Sequence, residues 1–160
     1  MGPLLAIAVR LWQDGCMRIQ KLNHTHYQHQ YHIVWGTKYR RKYLKEYVKP
    51  IFIESLYNTV EKYPTRIFIE EVNVDNDHVH LQIEIPPSVP VAAVIQRLKQ
   101  YSSIYLKQHF KFIRNMYKGG NIWSVGYFSS TIGLNESYIR KYIKEQGKKD
   151  FPDQAQFGFS

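Results

Sequence analysis

Between His29 and Trp35 apolar and polar positions alternate, with Tyr31, Ile33 and Trp35 on one side, which predicts a strand buried on one face. From about Leu44 to Lys62 the period lengthens, and Val48, Ile51, Phe52, Ser55, Leu56 and Val60 recur at helical spacing. Tyr63-Pro64 stops that helix, because proline has no amide donor and pushes the residue before it out of helical geometry. Arg66 to Val74 is rich in β-branched and aromatic residues and predicts a second strand. Asp75-Asn76-Asp77 supplies turn chemistry and His78 to Ile85 a third strand, so the two read as a hairpin.

Pro86-Pro87-Ser88 interrupts the chain before a second helix, about Val91 to Phe110. Gly119-Gly120 marks a turn, and Asn121 to Thr131 holds a further extended segment. A last helix is expected from about Glu136 to Gln146, with Asn135 as its N-cap and Gly147 as its stop. The order β-α-β-β-α-β-α begins with the ferredoxin-like pattern. The expected fold class is therefore α/β in the α+β sense: an RRM-like antiparallel sheet with two helices on one face, followed by a C-terminal helix. That pattern serves many functions and selects none of them.

The chain of 160 residues has room for one ordinary domain, expected over residues 26–148 between an N-terminal extension, 1–25, and a tail, 149–160. A single cysteine, Cys16, excludes an intramolecular disulfide framework. No apolar run approaches the ~20 residues that span a bilayer. The stretch Pro3 to Val9 is cut by Arg10 and lacks a basic leading segment, so neither a membrane partner nor a signal peptide is expected and the cytoplasm is the expected location. Met17 is a second candidate start, because the pattern begins downstream of it.

Charge narrows the partners. Lys and Arg number 22 against 13 Asp and Glu, a formal charge of +9, and 15% of the chain is aromatic. A basic, aromatic-rich chain suits a polyanion, and unpaired bases in particular. The charge is also uneven: no acidic residue lies between Ile85 and Asn135, and Lys38, Arg40, Arg41, Lys42, Lys45 and Lys49 are diluted only by Glu46. Lys38, Arg40 and Arg41, with Arg97, Lys99 and Lys107 of the second helix, are the candidate nucleic-acid contacts, mostly to phosphate.

Candidate chemistry lies on the third strand and the last helix. Strand alternation puts His78, His80, Gln82 and Glu84 on one face, and two imidazoles at i and i+2 can converge on one metal ion. The same spacing also describes a merely polar strand face. Tyr142 and Gln146, four apart, share a helical face that Tyr138 continues one turn earlier. Spacing leaves open whether Tyr142 is a core aromatic or a nucleophile, and whether Gln146 is solvated or a ligand. His24, His26, His29 and His32 crowd together without carboxylate or cysteine, which favours a solvated or DNA-facing strand edge over a second metal site.

His78-Val79-His80, followed by Tyr142-Ile143-Lys144-Glu145-Gln146, resembles the single-tyrosine HUH nucleases, whose signature is histidine, bulky hydrophobe, histidine, then Y-x-x-x-Q. The surroundings are similar to the TnpA-type transposases of small insertion sequences. Tyr31 to Arg41 resembles their opening strand and basic turn, and Asn76 to Leu81 their metal strand. Gly126-Tyr127-Phe128 with Thr131-Ile132-Gly133 resembles the entry to their tyrosine helix. The resemblance implies that the last helix carries the nucleophile, Tyr142, and that His78, His80 and Gln146 hold Mg2+ or Mn2+. It implies a substrate of single-stranded DNA with imperfect-palindrome hairpins, cleaved and rejoined through a 5′-phosphotyrosine. It also implies a homodimer in which one subunit's tyrosine helix, after the Gly133 hinge, completes the other's site. Asp77 and Glu84 are candidates to orient an imidazole. The alternatives are a host-domesticated endonuclease acting on repeated palindromes, and a non-catalytic RNA-binding module of the same fold, which leaves the histidine and tyrosine–glutamine pairs unexplained.

Overall fold

The computed structural model describes residues 20–22, 25–27 and 29–132. Gln20–Leu22 (β1) and Thr25–Tyr27 (β2) pair antiparallel with Leu22 opposite Thr25, so regular structure begins ahead of the boundary expected at residue 26. The alternating segment forms Gln30–Gly36 (β3), in which Ile33 and Trp35 are buried. The predicted hairpin is present as Phe68–Val74 (β4) and His78–Glu84 (β5), with a register shift between Ile69 and Glu71.

The first long helix, Lys49–Glu61 (α1), starts about five residues later than the apolar spacing predicts. Leu44 and Val48 are fully buried, yet the backbone before Val48 is committed elsewhere: the Leu44 amide donates to the Asn76 carbonyl at 3.1 Å. Pro50 sits in the first turn of α1, where its missing amide costs no helical bond. Val91–His109 (α2) matches expectation. Lys111–Met116 (α3) is a short helix that the pattern does not announce, separated from α2 by an extended Phe110. The expected extended segment narrows to Phe128–Ile132 (β6), with Trp123 forming an isolated bridge to Thr37. The last predicted helix, with Tyr138, Tyr142 and Gln146, lies outside the described residues, as does the Gly133 hinge.

The four long strands form one antiparallel sheet in the order β4-β5-β3-β6, with the first and third strands of the ferredoxin-like pattern at its centre. One face is apolar. Ile33, Trp35, Val79, Leu81 and Ile83 meet Phe52 and Leu56 of α1 and Val94, Ile95, Leu98 and Leu106 of α2, all buried in one cluster. Trp123 closes the end of this core between Trp35, Tyr43 and Phe52, with ring centroids 5.2–6.0 Å away. Its indole N–H donates to Ser102 Oγ at 3.0 Å. Alternation turns the other face of the sheet away from both helices, and that face carries the histidines.

Candidate metal and nucleic-acid site

His78 and His80 project from the central strand β5, opposite Gly36 and Val34 of β3, with their rings 5.0 Å apart. Strand period and register alone bring them together. Each ring is held through Nδ1. His78 Nδ1 lies 2.8 Å from Asp77 Oδ1, while its Nε2 is 3.3 Å from Asp75 Oδ2. His80 Nδ1 lies 3.2 Å from His32 Nε2, and those two rings stack at 5.4 Å with planes 19° apart. The bond with His78 holds the Asp77 carboxyl below the usual carboxylate range, aided by the charges of Arg40, His78 and Lys42. Burial, with His78 and His32 beside it, pushes the His80 imidazole down and favours its neutral form, the one that can bind a metal.

Both histidines line an open cavity of about 510 Å³ between the end of β3, the β4–β5 hairpin and the segment leading into β6. Arg40 lines it too, its Nε 3.2 Å from Asp77 Oδ2 and its side chain 68% exposed, so the guanidinium keeps donors for an incoming anion. Arg40 and Tyr39 both sit in left-handed backbone, φ 55° and 61°, which for residues with a Cβ costs about 1–2 kcal/mol each. The turn is braced by its surroundings. Thr37 Oγ1 donates to the Arg41 carbonyl at 2.8 Å, and Tyr117 Oη donates to the Lys38 carbonyl at 2.7 Å. Ser124, Tyr127 and Phe128 close the opposite side, with Phe128 exposed.

The candidate DNA contacts divide into two groups. Lys38 and Arg40 belong to the exposed turn beside the cavity, whereas Arg41 donates to the Met116 carbonyl at 3.0 Å and stacks over Tyr117 at 5.1 Å. Arg97 lies 4.8 Å over the Tyr63 ring. The ammonium groups of Lys99 and Lys107 face inward. Lys99 Nζ donates to the Ser124 and Gly126 carbonyls at 2.7 and 2.8 Å, and Lys107 Nζ donates to the Gly120 carbonyl. Burial pushes the Lys99 amine down. The acid-free stretch of α2 thus supplies clamps for the cavity's far wall as well as surface charge. Gly126, at φ 81°, supplies the left-handed turn that Lys99 grips.

The donor set suits a divalent cation: two adjacent imidazoles beside an open cavity, His80 held at Nδ1 by His32, and His78 held at Nδ1 by Asp77 with the Asp75 carboxylate beside its Nε2. Among the described residues no group of three His, Cys, Asp or Glu converges there, so any third protein ligand of those kinds must come from elsewhere. Gln146 and Tyr142 lie outside the described residues. Asp77 does reach an imidazole as expected. Glu84, opposite Gln30 at the far end of the strand, is buried and does not line the cavity. His32 corrects the sequence reading, which grouped it with His24, His26 and His29 on a solvated or DNA-facing strand edge: it lies on the inner strand β3, half-buried, and reaches the His80 ring.

A family model for IS200-like transposases matches residues 25–146. The transposase of insertion sequence IS200 from Salmonella typhimurium is 33% identical over 131 residues, covering 82% of this chain and 85% of that one. The ISDra2 transposase TnpA of Deinococcus radiodurans is 28% identical over 125 residues, 78% of this chain and 88% of that one. Among solved structures, a candidate transposase from Deinococcus radiodurans superposes with a TM-score of 0.64 at 24% identity, over 80% of this chain and 98% of that one. A REP-associated tyrosine transposase bound to a REP hairpin gives 0.51 at 14% identity, over 83% and 75%. No described helix is long and apolar enough to cross a membrane. With the match running from β2 past the end of β6, and a relative 33% identical over 82% of this chain, the chain belongs to the IS200-like transposase family.

Proposed function

We propose that this transposase cleaves and rejoins single-stranded DNA at hairpin-bearing element ends through a 5′-phosphotyrosine on Tyr142. The observation that carries the reading is the pair of central-strand histidines sharing one open cavity with the Arg40 guanidinium. His78, His80 and Gln146 are the proposed ligands of Mg2+ or Mn2+. A bound divalent cation would polarise the scissile phosphate and offset the charge that develops on it.

The chain's own groups have defined tasks. Asp77 accepts a hydrogen bond from His78 Nδ1–H, so Nε2, beside the Asp75 carboxylate at 3.3 Å, is the nitrogen that would meet a cation. Arg40 offers charge-assisted hydrogen bonds to a phosphate oxygen at the cavity mouth. Tyrosine is a weak nucleophile at neutral pH, so Tyr142 must lose its proton as it attacks phosphorus and a deoxyribose 3′-hydroxyl leaves. The phosphotyrosine retains the diester's bond energy, so a 3′-hydroxyl from a second strand can displace Tyr142 and restore a phosphodiester. Exchange of two ends needs two such tyrosines, which motivates the homodimer with shared sites. The REP hairpin held by the fold relative supports a hairpin as the ligand class.

The test incubates labelled single-stranded hairpin DNA with the protein and Mn2+, followed by denaturing electrophoresis. A covalent adduct that vanishes in Tyr142→Phe and in EDTA is expected. An adduct that persists in Tyr142→Phe, or that maps to Tyr138, overturns the nucleophile. Equal cleavage of duplex DNA overturns the substrate.

A further inference from the structure

We propose that His32 is a positioning residue that sets the tautomer of His80, keeping the His80 Nε2 lone pair directed at the cavity. The value of that lone pair rests on the metal reading above; the tautomer itself does not.

His32 lies on β3 opposite Gln82, one diagonal step from His80, and is half-buried. It does not line the cavity, so it acts on whatever binds there only through His80. The contact joins His32 Nε2 to His80 Nδ1 at 3.2 Å, between rings 19° from parallel. A bond between two neutral imidazole nitrogens contains one proton, so one ring donates and the other accepts. If His80 Nδ1–H donates, His80 Nε2 keeps its lone pair. If His32 donates instead, the His80 proton resides on Nε2 and that nitrogen has nothing to offer a cation.

The proposal assigns the first arrangement, in which His80 uses Nδ1 toward His32 as His78 uses Nδ1 toward Asp77. Asp77, a carboxylate acceptor, accepts the hydrogen bond from His78 Nδ1–H at 2.8 Å. His78 and His80 are therefore held by the same ring nitrogen, one through a charged acceptor on its own turn and one through a neutral acceptor on the neighbouring strand. The neighbouring strand thus contributes what a second carboxylate contributes in many histidine metal sites, without adding negative charge where a phosphate must approach.

Long-range 1H–15N correlation on 15N-histidine-labelled, metal-free protein reads the tautomer directly. The Nδ1–H form is expected for His80 in the wild type, and an Nε2–H form there overturns the proposal. His32→Gln, whose amide oxygen can accept near the Nε2 position, should preserve the Nδ1–H form. His32→Phe keeps a stacked ring without an acceptor and should lose it. In Mn2+ titrations His32→Phe should bind 10- to 100-fold more weakly, with His32→Gln within about threefold of wild type. Equal affinities for the two variants overturn the proposal. Wild-type protein that binds no Mn2+ removes the metal reading instead, while the tautomer still decides the role of His32. The wild-type spectrum needs no variant, so it decides even if His32→Phe fails to fold.

Discussion

Two buried tryptophans, Trp35 and Trp123, sit with ring centroids 6.0 Å apart, yet replacing each by phenylalanine should have unequal consequences. Both are at most 2% exposed, so each change removes a similar amount of packed volume, costing about 1 kcal/mol by the volume dependence of core truncations. Their polar ends differ. Trp123 Nε1–H donates to Ser102 Oγ at 3.0 Å, with Ser102 fully buried. Losing a net hydrogen bond adds about 1 kcal/mol, so Trp123→Phe should cost about 2 kcal/mol in all. Trp35 Nε1 is buried with no hydrogen-bond partner among the described residues. Removing an unsatisfied buried donor returns about 1–3 kcal/mol, which cancels or exceeds the truncation. Trp35→Phe should therefore leave stability within about 1 kcal/mol of wild type, or raise it. For a urea slope of about 2 kcal/mol per molar, the two variants should separate by about 1 M in midpoint. Adding Ser102→Ala supplies the control. Alone it orphans the indole N–H, whereas in Trp123→Phe it has no donor left to orphan, so a coupling near 1 kcal/mol is expected. If Trp35→Phe is as destabilising as Trp123→Phe, or the coupling vanishes, the assignment of these polar ends is wrong.

Other consequences follow from the site. Lys99→Met removes both bonds to the Ser124 and Gly126 carbonyls; with the amine half-buried, a loss of about 1–2 kcal/mol is expected, and hydrogen exchange should quicken at 124–127 while the central sheet stays protected. Faster exchange across the whole chain would mean that Lys99 supports global folding rather than this loop. Arg40→Gln should weaken single-stranded DNA binding and lower the slope of log affinity against log salt by about 0.7, one phosphate contact; an unchanged slope would remove Arg40 from the DNA surface. Asp77 has a folded pKa below its unfolded one, so its contribution to stability is complete above the unfolded value and fades as pH falls through the folded value. Urea midpoints measured down the acid limb should fall more shallowly in Asp77→Asn than in wild type, and parallel limbs would contradict the Asp77–His78 bond.

Periodicity revealed local chemistry well. The strand at Gln30–Gly36, the hairpin and α2 follow from residues whose neighbours in sequence are also their neighbours in the element. It failed where a distant group decided the backbone. The late start of α1 depends on Leu44 bonding to Asn76 across the fold, and α3 depends on an extended Phe110 that ends α2. The histidine pair was legible because two residues on one strand face need only the strand period. The inward turn of Lys99 was not, because a lysine in an acid-free run looks alike whether it meets a phosphate or a carbonyl 25 residues away.

By itself, then, the sequence determined the order of elements, which strand face carries His78 and His80, the basic character of the surface and the motifs of a transposase family. Those properties are set by side-chain period and residue chemistry, which are local. Only the tertiary structure decided that His32, 48 residues before His80, is the group that grips its ring, and that Arg40 shares the histidines' cavity. Strand register made the first choice, since a one-residue slip would have put His32 and His80 on opposite faces, and the closing of one turn against another chain segment made the second.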